Sequence, residues 1–254
     1  MKIGAKIFKL YLLCWVVYIY CSQLIKKHNG AVLTKLFDRT SPTSINLVIA
    51  HPDDEVMFFA PTVLQMDTYF ARDVEVRVIC LTNGGADGLG ATRVAELRHS
   101  MRMLLPSRKT SVFVSDFEDG MAVEWDIAKA TAVLDEHIKD SKPLLLTFDE
   151  DGVSGHVNHI SCFHAVELLK QIHPSVDTYA LVSSKFVLLK YLGFLPGLYE
   201  TARNTGRTLL ISSFAQYIHA FAAMTNAHVS QMVWFRYGWW IASTFVFSNE
   251  LQRF

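Results

Sequence analysis

The stretch Ile45-Asn46-Leu47-Val48-Ile49-Ala50-His51-Pro52-Asp53-Asp54-Glu55 sets an imidazole, a proline and three carboxylates directly behind a short apolar run. A run of that length, bounded by polar residues, reads as a buried strand. Pro52 lacks a backbone N–H and disfavours helix at the residue before it, so the strand must end near His51. Val56 to Tyr69 reads as a helix, which puts the polar cluster on a tight strand-to-helix turn. In open α/β sheets, ligands bind at such turns, outside the carboxyl ends of strands. Carboxylates crowded there repel one another unless a cation is present, and histidine with aspartate suits zinc or a similar divalent ion. The alternative is that Asp53, Asp54 and Glu55 cap the next helix, whose N-terminus favours negative charge. A cap needs one acid, not a histidine and three acids.

The same strand-then-helix rhythm continues. Val74 to Thr82, Ser111 to Ser115 and Leu144 to Phe148 read as strands; Thr92 to Leu105, Glu124 to Lys139 and Ile160 to Ile172 read as helices. Such alternation predicts a mostly parallel sheet with helices on both faces, Rossmann-like in outline. The glycine-rich loop Asn83 to Gly90 matches neither a P-loop nor GxGxxG, and reads as a substrate-facing loop or a plain long turn.

A second polar cluster, Asp149 to His159, follows the strand that ends at Phe148. His156 and His159 are three apart, so on a first helical turn both face one way. One histidine and one aspartate from the first turn, with a histidine from the second, would leave an open metal position, as catalytic zinc requires. A metal acidifies water and polarises a carbonyl. A spare carboxylate can take the water's proton, and a spare histidine can steady an oxyanion or protonate a leaving amine. The inventory points to hydrolysis of an amide or ester, without the HExxH helix of zinc proteases.

Ala50-His51-Pro52-Asp53-Asp54-Glu55, followed by His156-Val157-Asn158-His159, resembles the LmbE-like family of zinc-dependent de-N-acetylases, over Ile45 to His173. The resemblance implies the Rossmann-like LmbE fold, with His51, Asp54 and His159 as ligands of Zn²⁺ or another divalent transition metal. It implies Asp53 as general base, and His156 as the residue that stabilises the oxyanion or protonates the departing amine. The continuation Val56 to Pro61 and the apolar N-terminus resemble the branch that serves GPI-anchor biosynthesis. That implies a lipid-linked glycan substrate, N-acetylglucosaminyl-phosphatidylinositol, and a place in the endoplasmic reticulum membrane. Alternatives are a sibling deacetylase of another GlcNAc conjugate and a non-catalytic, membrane-tethered scaffold. Arg93 and Glu96 form an Arg-x-x-Glu pattern, directed at substrate phosphate or paired with each other, and Asp151 is a candidate to orient a histidine.

Ile7 to Ile25 is nearly continuous apolar sequence, long enough for one transmembrane helix. Lys26, Lys27, Lys35 and Arg39 outnumber the basic residues before it, which favours a single-pass anchor with a cytoplasmic catalytic domain. The expected division is residues 1–28 as anchor, 29–44 as juxtamembrane linker and 45–254 as catalytic domain. A hydrophobic fraction of 51% agrees with membrane contact, and 24 basic residues against 24 acidic leave no electrostatic footprint for nucleic acid. Phe186 to Leu195 and Trp234 to Trp240 are apolar and aromatic, suited to a membrane interface or to packing on the sheet. His219 and His228 are further possible ligands, and protein partners have no signature in the sequence.

Overall fold

The computed structural model describes residues 2–138 and 142–254. Two helices, α1 (Lys2–Tyr20) and α2 (Ser22–Phe37), come first. There follow β1 (Ser44–Ile49), α3 (Asp54–Met57), α4 (Ala60–Tyr69), β2 (Glu75–Cys80), α5 (Gly90–Leu104), β3 (Thr110–Val114) and α6 (Ile127–His137). The second half holds β4 (Pro143–Thr147), α7 (Gly152–Gly155), α8 (Val157–Ile172), β5 (Asp177–Leu181), α9 (Leu195–Arg203) and β6 (Leu209–Ile211). It closes with α10 (Phe214–Ala227), α11 (Trp234–Ala242) and β7 (Ser248–Arg253). Lys139, expected to end the α6 helix, lies outside the described residues.

The strands form one sheet in the order β3-β2-β1-β4-β5-β7-β6. β1 to β5 are parallel, whereas β7 runs antiparallel to both β5 and β6. β1 and β4 are buried throughout, which is why Leu47-Val48-Ile49 and Leu144-Leu145-Leu146 show no alternation of polar and apolar residues. From β1 the chain steps outward through β2 and β3; from β4 it steps the other way to β5. The two directions part between β1 and β4, the switch point where open α/β sheets hold ligands. Helix α6 packs on α8, while α5 packs on α10, which also touches α4. Right-handed crossovers set these two groups on opposite faces of the sheet.

Three expectations change. The helix expected over Val56 to Tyr69 is broken at Phe58-Phe59, where Phe58 closes α3 and Pro61 sits in the first turn of α4. The apolar N-terminus is not one straight span: α1 and α2 meet at an angle of 66°. Among the described residues no single helix is long and apolar enough to cross a membrane, although the bent pair meets that criterion by length and composition. Residues 29–37, expected within a linker, continue α2, because Ile25, Val32, Leu33 and Phe37 recur at helical spacing and are buried. Asn29 both donates to the Ile211 carbonyl (2.7 Å) and accepts from the Ile211 N–H (3.0 Å), so its amide completes the free edge of β6. The Tyr18 hydroxyl donates to the Ser212 carbonyl at 2.7 Å, and Trp15 packs on Phe194 with ring centroids 4.5 Å apart.

Candidate metal centre

The turn after β1 is tightened by its own side chains. Asp54, buried, accepts from the backbone N–H groups of Ala50 (3.1 Å) and His51 (2.7 Å). Asp53 has φ 126° and ψ −18°, a conformation that L-residues rarely adopt and that costs on the order of 1–3 kcal/mol. What holds it there is Glu55. One Glu55 oxygen accepts from the Asp53 N–H at 3.1 Å; the other accepts from Ser100 Oγ (2.5 Å) and faces His228 Nε2 (2.6 Å). Glu55 and His228 are both fully buried. Glu55, the second residue of α3, thus bonds back to the backbone N–H of Asp53 just before the helix, and that bond fixes Asp53. Burial opposes charge on His228, but Glu55 outweighs it and raises the imidazole pKa.

The turn after β4 is organised by Asp149, which accepts from Val153 N–H (2.7 Å) and Ser183 N–H (2.8 Å). The chain doubles back through Gly152 and Val153, both at positive φ, and aims the Gly152 carbonyl at His159 Nδ1, 3.1 Å away. That bond puts the proton on Nδ1 and leaves a bare lone pair on Nε2. His159 stacks on Phe148 with centroids 4.0 Å apart, which sets its plane. His156 caps its own helix: Nδ1 accepts from Asn158 N–H at 3.2 Å, so the neutral ring carries its proton on Nε2. Burial and the neighbouring His51 and His159 lower the His156 pKa to about 4.

Ligand atoms of His51, Asp54 and His159 all lie within 4.8 Å of one another. The fit to a cation rests on His159 Nε2, which is buried and, among the described residues, has no hydrogen-bond partner. It lies 3.4 Å from Asp54 Oδ1. Two imidazoles and one carboxylate form a donor set for zinc-like ions and not for magnesium or calcium. Burial raises the pKa of Asp54, but His159 and His51 hold it well below the usual carboxylate range. Burial likewise disfavours charge on His51, yet hydrogen bonds to Asp119 and Asp54 raise its pKa to about 10. Asp119 Oδ1 is 3.0 Å from His51 Nε2, and Asn158 Oδ1 is 3.3 Å from the same nitrogen. Asp53 faces Arg236 at 3.1 Å and Arg93 at 3.6 Å, and burial raises its pKa against their pull.

These side chains line a cavity of about 530 Å³ whose walls include Asp53, His156, Arg93 and Arg236, with Asp87 and Leu89 from the glycine-rich loop. Arg93 does not pair with Glu96. Its guanidinium donates to the Gly84 and Pro52 carbonyls, each at 3.0 Å, while Glu96 accepts from the Ser230 N–H (2.7 Å) and hydroxyl (2.6 Å). Gly84, at φ 70°, allows this: a Cβ there would stand 2.6 Å from the Arg93 guanidinium. Asp151 is exposed and pairs with Lys185 at 4.0 Å, and the orienting role expected of it falls to the Gly152 carbonyl. His219 contacts the Leu104 carbonyl and His228 contacts Glu55, so neither joins the ligand group. Asp119 escaped the sequence reading, although it follows a strand (β3) at the same edge of the sheet.

A sequence profile of the family described as PIG-L: GlcNAc-PI de-N-acetylase matches residues 46–169. The N-acetylglucosaminyl-phosphatidylinositol de-N-acetylase of Saccharomyces cerevisiae is 42% identical, over 99% of this chain and 95% of that protein. The protein of the same name from Bos taurus is 35% identical, over 81% of this chain and 81% of that one. Among solved structures, N,N'-diacetylchitobiose deacetylase from Pyrococcus horikoshii aligns with a TM-score of 0.55 and 16% identity, over 91% of this chain and 90% of that chain. That likeness is one of fold.

Proposed function

This chain belongs to the GlcNAc-PI de-N-acetylase family, and from that premise we propose that it hydrolyses the acetamide of N-acetylglucosaminyl-phosphatidylinositol. The products are glucosaminyl-phosphatidylinositol and acetate, an early step of GPI-anchor biosynthesis. The observation that carries the reading is the buried His159 Nε2, without a hydrogen-bond partner among the described residues and gathered with His51 and Asp54 at the switch point of the sheet.

His51, Asp54 and His159 would hold the divalent ion, zinc by the nature of the donors. When bound, it supplies an acidified water and a polarised acetyl carbonyl. Asp53 takes the proton of the attacking water, its raised pKa making it a better base than an ordinary carboxylate. His156 donates Nε2–H to the oxygen that gains charge, since its Nδ1 is occupied by Asn158 N–H. With a pKa of about 4, His156 is neutral near pH 7 and holds no imidazolium proton to give the amine. The proton held by Asp53 therefore passes to the departing nitrogen as the C–N bond breaks. Arg93 and Arg236, 3.6 and 3.1 Å from Asp53, favour its ionised form against the effect of burial.

We place the protein in the endoplasmic reticulum membrane, with residues 45–254 on the cytosolic side and α1 as the membrane element. Exposed Ile7, Leu10, Leu13 and Val17 on α1, with Lys26 and Lys27 behind it, support that arrangement. The test is acetate release from the lipid substrate by detergent-solubilised protein, before chelation, after it, and with zinc restored. Release should follow the metal and vanish in Asp53→Asn while bound metal is retained. Absence of release from folded, metal-loaded protein would overturn the proposal.

A further inference from the structure

Three segments expose large apolar side chains. On α1, Ile7, Leu10, Leu13 and Val17 are 45–65% exposed; between β5 and α9, Phe186 is 76% and Leu188 82% exposed. On α11, Trp234 is 85% exposed, with Tyr237 and Ile241 also open to solvent. None of the chain's 24 acidic residues falls within 1–37, 182–199 or 229–249, whereas Lys6, Lys9, Lys185, Lys190 and Arg236 do. Lys185 and Arg236 are matched from outside these segments by Asp151 and Asp53, but α1 holds Lys6 and Lys9 with no acid, and an apolar face of that extent is foreign to a solvated surface.

The three segments are joined. Tyr11 and Trp15 of α1 pack on Phe194, at 5.8 and 4.5 Å between ring centroids. The Gly193 N–H donates to the Ala242 carbonyl at 2.8 Å, and the Tyr191 and Trp239 rings lie 6.1 Å apart. A cavity of about 550 Å³ opens between Tyr191 and Trp239, and shares Phe58, Ser154, Phe235 and Arg236 with the wall of the metal-centre cavity. The apolar face and the reaction centre are therefore connected through α11.

Resting on the activity proposed above, we infer that this face docks on an anionic phospholipid bilayer. The lipid-linked substrate then moves from the membrane plane to the metal centre between α11 and residues 186–192. Charge selects the occupant: Lys6 and Lys9, on a helix that carries no carboxylate, complement lipid phosphates, whereas a protein partner meets a polar rim. Trp234, Tyr237 and Tyr191 are the residue types that settle at the headgroup level.

The test uses the full chain carrying Phe186→Ser, Leu188→Ser and Trp234→Ser together, three exposed positions outside both cavities. Two substrates are compared: N-acetylglucosaminyl-phosphatidylinositol in phosphatidylserine-containing vesicles, and its deacylated, water-soluble form. Kcat/KM on the soluble form should stay at the wild-type value, which also shows that the variant is folded. On vesicles it should fall by about tenfold or more, the effect of withdrawing one or more large side chains from the acyl boundary. An equal change on both substrates, or no change on vesicles, overturns docking. A wild-type protein that cleaves neither overturns the activity instead. Independently, the Trp234 fluorescence, taken as wild type minus Trp234→Phe, should be quenched by lipids brominated on their acyl chains; unquenched emission overturns docking as well.

Discussion

Replacing Glu55 by glutamine keeps the volume, removes one charge and tests whether Asp53 is held from behind. Three donors converge on the two Glu55 oxygens, from Ser100, His228 and the Asp53 backbone. A carboxylate accepts at both oxygens, whereas a carboxamide accepts at one and donates from the other side. If the amide oxygen stays with Ser100 and His228, its NH₂ meets the Asp53 N–H, donor against donor. If the amide turns over, His228 must move its proton to Nδ1, which is buried and has no acceptor among the described residues. Either way one buried donor is stranded, at a cost of about 1–3 kcal/mol. The φ of 126° at Asp53 costs a similar amount, on the order of 1–3 kcal/mol, so the first arrangement frees Asp53 to relax away from the cavity. The unfolding midpoint should drop by about 2–10 °C. Kcat should fall about tenfold or more, with bound metal and KM close to wild type. Thermal unfolding, metal content and steady-state kinetics on the same sample decide it. A variant with wild-type midpoint and kcat refutes the reasoning, and metal lost in proportion to activity would move the role of Glu55 to Asp54.

Asp53→Gly and Asp53→Ala should both lose most turnover, yet the glycine variant should be the more stable by about 1 kcal/mol in denaturant titration, because glycine adopts positive φ freely. Metal uptake by the metal-free protein should release the His51 proton, so apparent affinity should rise about tenfold per pH unit until the pH reaches about 10; calorimetry in two buffers of different ionisation heat measures the proton. The same proton stabilises the metal-free fold. Since its folded pKa of about 10 lies above the unfolded value, its contribution is complete below about pH 6.5 and is lost as pH rises through about 10. Asp119→Asn should weaken metal binding about 10- to 100-fold and flatten that pH dependence, read from competition with a chelating dye.

The centre of the sheet and the gathering of His51, Asp54 and His159 were legible because each cluster sits directly behind an apolar run. Parallel strands then bring both carboxyl ends together without further information. Contacts across distance were not legible. Glu55 meets His228 from 173 positions away, and nothing local to either residue announces the pair. Asp119 stands in the run Asp116-Phe117-Glu118-Asp119, where composition does not choose among three acids. The helical identity of α2 was hidden because Lys26, Lys27, His28 and Asn29 interrupt its apolar stripe. Two of these polar residues earn their place only against the distant β6, His28 at the Leu209 carbonyl and Asn29 at Ile211. The antiparallel strand β7, Ser248–Arg253, carries a single apolar residue, Leu251, and so left no periodic signal.

Asn29 has a mechanical consequence. Its amide takes both hydrogen-bonding groups of Ile211, and Tyr18 adds a further bond at Ser212, so the N-terminal helices are bolted to the sheet instead of trailing from a tether. Motion of α1 becomes motion of the whole body. The altitude and tilt of the candidate metal centre above any surface that α1 meets are then built into the fold, as the arm length of a fixed bracket is built into its casting.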